Sequence, residues 1–205
     1  MFNYSEKSPL LNFVNRLLDI LLLNILWIVS CLPIVTIGAA TTAVYAILLK
    51  MLTDEEGYII KSYFKEFKAN FKKSTLLWIL HAAGIYILYL DWQIVLKTET
   101  PSILLLIVSI ISTFVVFAGF LYVYPLTARY DNTVKNTILN SLQLCFKYFI
   151  RTVVLLVIIA FEYAVFTWNS ALIIPGILIG PMIMFYTISA TSRRIFLQTE
   201  MEQDN

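Results

Sequence analysis

Residues 102–126 read SILLLIVSIISTFVVFAGFLYVYPL, twenty-five positions without one charged side chain. A helix crosses a hydrocarbon core of about 30 Å with about 20 residues, because each residue adds about 1.5 Å. This stretch is long enough to do so, and no face of it would hold in water. Three more runs share its character: residues 75–96, 152–168 and 171–191. The polar break Lys97-Thr98-Glu99-Thr100-Pro101 separates the first from residues 102–126, and Asn169-Ser170 separates the last two. The four runs therefore read as two helical hairpins.

The composition points the same way. Of 205 residues, 60% are hydrophobic and 14% charged, against about 45–50% and about 25% in a soluble domain. Mean hydropathy is +0.80. These values exclude an ordinary soluble domain and a disordered chain. A net charge of +2 gives no sign of a nucleic-acid partner. The expected partner is the lipid bilayer. Cys31 and Cys145 sit in apolar or amphipathic stretches and read as small hydrophobes. Residues 1–9 carry Glu6 and Lys7 and lack an export signal's pattern, so the membrane segments are expected to stay in the mature protein.

Residues 10–50 hold two spans if the turn between them is tight. Pro33 and Gly38 lie near the middle, and proline removes a backbone donor. We read residues 14–32 as one span and 34–49 as a second. The alternative keeps a single span, with 34–49 re-entrant or along the interface. Six spans with both termini inside place 14 of the 15 Lys and Arg on one side, leaving Lys97 opposite. Five spans with the N-terminus outside leave 12. Basic residues concentrate on the cytoplasmic side, so six spans are preferred, and segments 50–73 and 127–151 are cytoplasmic on either count. The fold class is all-α: a polytopic transmembrane bundle in one integral membrane domain, residues 1–205.

Two amphipathic segments, 53–73 and 132–150, follow from this topology. Thr53 and Glu56 have capping-box spacing. Behind them Ile60, Phe64, Phe67 and Phe71 recur at helical spacing, with Lys61, Lys65, Lys68 and Lys72 one position on. Such a helix suits the inner headgroup layer or a protein partner. A shift of 79 residues aligns the two segments with seven identities in 33 pairs between Tyr45 and Leu77. It suggests a parallel repeat of residues 34–96 and 113–175, of the kind some transporters carry.

Intramembrane polar groups are few and costly. Arg16 and Asp19, three apart, share a helix face and can pair. Asn24 continues the polar stripe deeper into the membrane, to line a cavity or join helices. Glu162 sits about 16 Å from Arg151 along its helix, and reads as a structural hydrogen bond or a proton or substrate contact. His81 reads as a packed ring, or as Glu162's partner. Pro33, Thr36 and Gly38 mark a helix break followed by small residues that permit close packing. Pro175-Gly176 and Gly180-Pro181 are expected to kink the last span. One histidine, two separated cysteines and no glycine-rich phosphate loop give no grounds for a catalytic residue, metal centre or cofactor.

The runs Leu23-Asn24-Ile25-Leu26-Trp27 and Leu32-Pro33-Ile34-Val35-Thr36-Ile37-Gly38, continuing to Tyr45, resemble the YesL family of bacterial membrane proteins, domain of unknown function 624. The run from Tyr63 to Ser74 is similar to that family's second hallmark. The resemblance implies a multi-pass plasma-membrane protein of Gram-positive-type bacteria, whose genes often neighbour those for carbohydrate ABC import and polysaccharide breakdown. It implies an accessory or regulatory role in carbohydrate uptake, with a carbohydrate ABC transporter or a signalling protein as partner, and carries over no catalytic residue. The alternatives at this point are a small solute transporter acting alone and a lipid or envelope sensor.

Overall fold

The computed structural model describes residues 9–203. Among them are seven α-helices and one 3-10 turn, and no strand: α1 (Pro9–Cys31), the 3-10 turn (Ile34–Thr36), α2 (Ile37–Met51), α3 (Ile59–Lys97), α4 (Ile103–Arg129), α5 (Val134–Lys147), α6 (Phe149–Thr167) and α7 (Ser170–Gln203). Six stretches are long and apolar enough to cross a membrane: Val14–Cys31, Ile34–Met51, α3, α4, α6 and Ser170–Glu202. The chain is thus an all-α bundle with six candidate spans. Lys7, counted above on the inner side, lies outside the described residues.

The helices alternate in direction, so Arg16, Lys50, the five lysines between Lys61 and Lys73 of α3, Arg129, Arg151 and Arg194 gather at one end, called here the basic end, with Lys97 at the other. Helix α2 is the axis of the bundle, with twelve of its fifteen residues buried. That position disfavours the five-span alternative, in which residues 34–49 would lie along the interface. Around α2, Tyr45 meets Phe185 of α7 edge-on at 5.3 Å, and Trp27 of α1 meets the same ring at 5.2 Å. Thr152 of α6 bonds the Tyr122 hydroxyl of α4 at 3.0 Å.

The break between α1 and α2 falls where proline puts it. Pro33 adopts an extended conformation, and the Thr36 hydroxyl lies within hydrogen-bond reach of the Ser30 and Pro33 carbonyls, tying the turn together. Two residues on, Gly38 faces α3. A Cβ there would lie 2.2 Å from the Ser74 carbonyl oxygen and 2.7 Å from Trp78 Cβ, so only glycine admits this approach. The same contact brings the Thr42 and Ser74 hydroxyls to 2.8 Å. The small residues of 36–43 therefore serve close packing, as small residues between membrane helices do.

Two expectations change. The amphipathic segment 53–73 is not a separate helix: its basic part, from Ile59, is the first half of α3, which runs unbroken for 39 residues. No proline interrupts 59–97 and its one glycine, Gly84, is tolerated. Nor is there a capping box at Thr53. The helix starts six residues later with Tyr58 as an unassisted N-cap, after a loop turned by positive φ at Asp54 and Gly57. Thr53 instead donates to the Lys50 carbonyl, and Glu56 is engaged by Arg16. By contrast, segment 132–150 does hold a short helix, α5, capped by Thr133 and cut from α6 at Tyr148.

Candidate functional site: the basic end

Each connection at the basic end is closed by a charge pair. Arg16 reaches the α2–α3 loop, with Nη2 2.6 Å from Asp54 and Nη1 3.1 Å from Glu56. The expected Arg16–Asp19 pairing gives way to this one, because two acids across the loop outcompete one neighbour on the same helix. Lys50 of α2 pairs with Glu66 of α3 at 2.7 Å. Arg129 closes on Glu200 of α7, donating from Nη2 to both carboxylate oxygens at 3.0 Å and from Nε at 3.2 Å. Tyr130 donates to the same carboxylate. Burial, reinforced by that anionic acceptor, pushes the Tyr130 phenol up to about 12. Lys147 pairs with Glu202, and the carboxylate holds its ammonium above the usual lysine range. Tyr148 and Thr199 share a hydroxyl contact at 3.3 Å.

The last turns of α7 are therefore latched onto α4, α5 and the start of α6. Sequence reasoning missed this latch. Its only local trace is a pair of acids, Glu200 and Glu202, near the end of an otherwise apolar and basic helix. An open groove of ≈ 420 Å³ lies beside it, with Leu144 and Phe196 among its apolar lining and Asn132, Asn140 and Gln143 among its polar lining.

The α3 segment divides into three faces. Ile59 and Tyr63 are buried and Phe67 is half-buried, stacking on Tyr63. Phe64 and Phe71 are 42% and 37% exposed, and Ile60 is exposed with them. Lys61, Lys65, Lys68 and Lys72 are exposed. The expected stripe Ile60-Phe64-Phe67-Phe71 is thus split: Phe67 turns inward, and the core contact comes from Ile59 and Tyr63.

The intramembrane polar groups do not converge. Asn24, 1% exposed, donates from Nδ2 to the carbonyls of Ile177 and Leu178 at 3.3 and 2.6 Å. Pro181 has no N–H to give the Ile177 carbonyl, four residues earlier. Asn24 supplies the missing donor across the helix interface and lets α7 carry a proline without opening. Asn24 therefore joins α1 to α7 through Nδ2, while its Oδ1 is buried without a partner. Asp19 is half-buried on α1. His81 packs on the Phe120 ring at 3.8 Å and stacks on Trp78 at 6.5 Å. Glu162 accepts from Thr187 at 3.1 Å, while its other oxygen is buried without a partner. His81 and Glu162 thus keep separate company, in the α3–α4 and α6–α7 hairpins. Asp91 accepts from Ser112 at 3.3 Å. Among the described residues no three His, Cys, Asp or Glu side chains are placed to hold a metal ion.

Comparison with known proteins finds a family match over part of the chain. Residues 20–92 match the family described as "Protein of unknown function, DUF624". The resemblance read from Asn24, Trp27, Pro33, Gly38 and the α3 lysines thus holds over that stretch. The chain is 25% identical over 187 residues to "Uncharacterized protein YteU" of Bacillus subtilis (strain 168), a match spanning 89% of this chain and 80% of the relative. No solved structure matches.

Proposed function

From a multi-pass membrane chain that matches DUF624 over residues 20–92, we propose a non-catalytic accessory protein. It works through contacts made at its basic end. The positive-inside tendency puts that end, with both termini, in the cytoplasm. In the family context the contact partner is a component of carbohydrate uptake, an ABC transporter or its signalling protein; that assignment rests on the resemblance alone.

The observation that carries the reading is the contrast between sealed and open surfaces at this end. Ion pairs and the α7 latch close the faces between helices. The outer face of α3 is left with exposed aromatics on a rigid helix. A surface built only to solvate would have no use for Phe64 and Phe71.

The test is co-purification in mild detergent of the tagged protein, with wild type compared against Phe64→Ser/Phe71→Ser. The expected result is recovery of a transporter or signalling component with wild type and its loss with the variant. Recovery of neither component from wild type would overturn the reading.

A further inference from the structure

The lysines at the basic end fall into two groups. Lys50 and Lys147 are tied to carboxylates, and Lys73 lies 3.5 Å from the Tyr130 carbonyl. Lys61, Lys65, Lys68 and Lys72 form no ion pair among the described residues. These four lie at i, i+4, i+7 and i+11. At 100° per residue they make a single stripe no wider than about 60°. Phe64 and Phe71 each lie about 60° round from the lysine three positions earlier, with Ile60 beyond them. One uninterrupted helix thus presents a cationic stripe bordered by an exposed apolar stripe.

Two chemistries could satisfy that pair of stripes: an anionic lipid surface or an acidic amphipathic polypeptide. Height above the membrane separates them. If the span starts near Thr75, Phe64 stands about 16 Å and Lys61 about 21 Å along the helix beyond it. The headgroup layer is only about 5–8 Å deep on each side. Lys72 and Phe71 are at headgroup level. Lys61, Phe64, Lys65 and Lys68 lie farther out along α3, which is one uninterrupted helix from Ile59 through the span.

We propose that the outer face of α3 is a docking site for an acidic amphipathic helix of a partner protein, whose apolar side covers Ile60 and Phe64 and whose carboxylates meet Lys61, Lys65 and Lys68. This names the kind of partner for the accessory role above and rests on that reading for its biological setting. Charge complementarity sets the partner's sign, and the bordering aromatics demand a face rather than a mere run of acids.

The experiment places the full chain in nanodiscs of phosphatidylcholine. It measures binding of a fluorescent 18-residue helical peptide with leucines on one face and glutamates on the other. One comparison peptide has the same composition scrambled, so that no apolar face forms; phosphatidylglycerol vesicles are offered separately. Wild type should bind the amphipathic peptide at least tenfold more tightly than the scrambled one. Lys61→Glu/Lys65→Glu/Lys68→Glu should weaken binding at least tenfold, Phe64→Ser about tenfold, and Lys61→Arg/Lys65→Arg/Lys68→Arg not at all. All changed positions are exposed, and unaltered melting temperatures confirm folding.

Equal binding of the scrambled peptide, indifference to the glutamate variant, or capture of the vesicles without the peptide would each overturn the proposal. If the peptide binds as expected but no transporter or signalling component co-purifies, the accessory role falls and the docking surface stands. If a component co-purifies equally well with the glutamate variant, the docking surface falls and the accessory role stands.

Discussion

Replacing Gly38 by alanine tests the packing on which the bundle depends. A Cβ at this position lies 2.2 Å from the Ser74 carbonyl oxygen, and both that atom and Trp78 Cβ belong to helix α3 close to its axis. Neither can rotate away. Restoring ordinary contact of 3.4 Å requires α2 and α3 to separate by about 1.2 Å. The Thr42–Ser74 hydroxyl contact would then stretch from 2.8 Å to beyond hydrogen-bond reach. Overpacking of this kind costs about 1–3 kcal/mol, and the lost buried hydrogen bond about 1 kcal/mol more, for a total of about 2–4 kcal/mol. At about 2–4 °C per kcal/mol for a chain this long, melting should fall by about 4–16 °C.

The measurement is thermal unfolding in detergent followed by tryptophan fluorescence, with Gly84→Ala as control. A Cβ at Gly84 meets nothing nearer than 3.7 Å. That control should be neutral or gain up to about 1 kcal/mol of helix propensity. Gly38→Ala melting within about 2 °C of wild type, or below the control by no more than that, would refute the close-approach argument.

Three further expectations follow from the same contacts. Asn24→Leu strips the Ile177 and Leu178 carbonyls of their donor and should cost about 1–3 kcal/mol. Pro181→Ala restores an in-helix donor, so the double variant should lose less than Asn24→Leu alone; an additive loss in the melting data would separate Asn24 from the proline. Arg16→Ala should destabilise more than Asp54→Ala, since the Glu56 side chain is 14% exposed and Asp54 84%; the exposed pair should contribute under about 1 kcal/mol, and equal losses in denaturation would contradict this ordering. Burial pushes the Cys145 thiol up to about 12 from 9.0: the protonated form is favoured on folding, with the benefit complete below pH 9 and lost as pH rises through about 12. In a Cys31→Ser background, maleimide should therefore leave Cys145 unmodified at pH 8 until the protein is denatured, and rapid labelling of the folded form would count against its buried placement.

The spans and their breaks were legible because hydropathy and proline act locally. Pro33 ends α1 wherever the rest of the chain goes, and the small residues after it announce a close helix contact. What lay hidden was decided by partners distant in sequence. Arg16 has an acid three residues away on its own helix and yet chooses Asp54 and Glu56, because folding brings a loop with two carboxylates over it. Asn24 looks like part of a polar stripe until the proline it serves, 157 positions later, is brought alongside. The start of α3 departs from the capping-box spacing for a related reason. Thr53 and Glu56 have capping spacing, but Gly57 follows with positive φ, and the helix waits until Ile59 can bury itself. Glu200 and Glu202 stand out only as two acids near the end of α7, and their partners Arg129 and Lys147 lie 71 and 55 positions away.

The unbroken length of α3 has a mechanical consequence. With no break between the span and the basic tip, any rocking of the span is carried outward as by a lever. The arm from Thr75 to Ile59 is about 24 Å, so a change of tilt of about 10°, small beside the spread seen among membrane helices, swings Phe64 and its neighbours by about 3–4 Å. A protein gripping that tip would feel the lipid environment of the far leaflet without touching it.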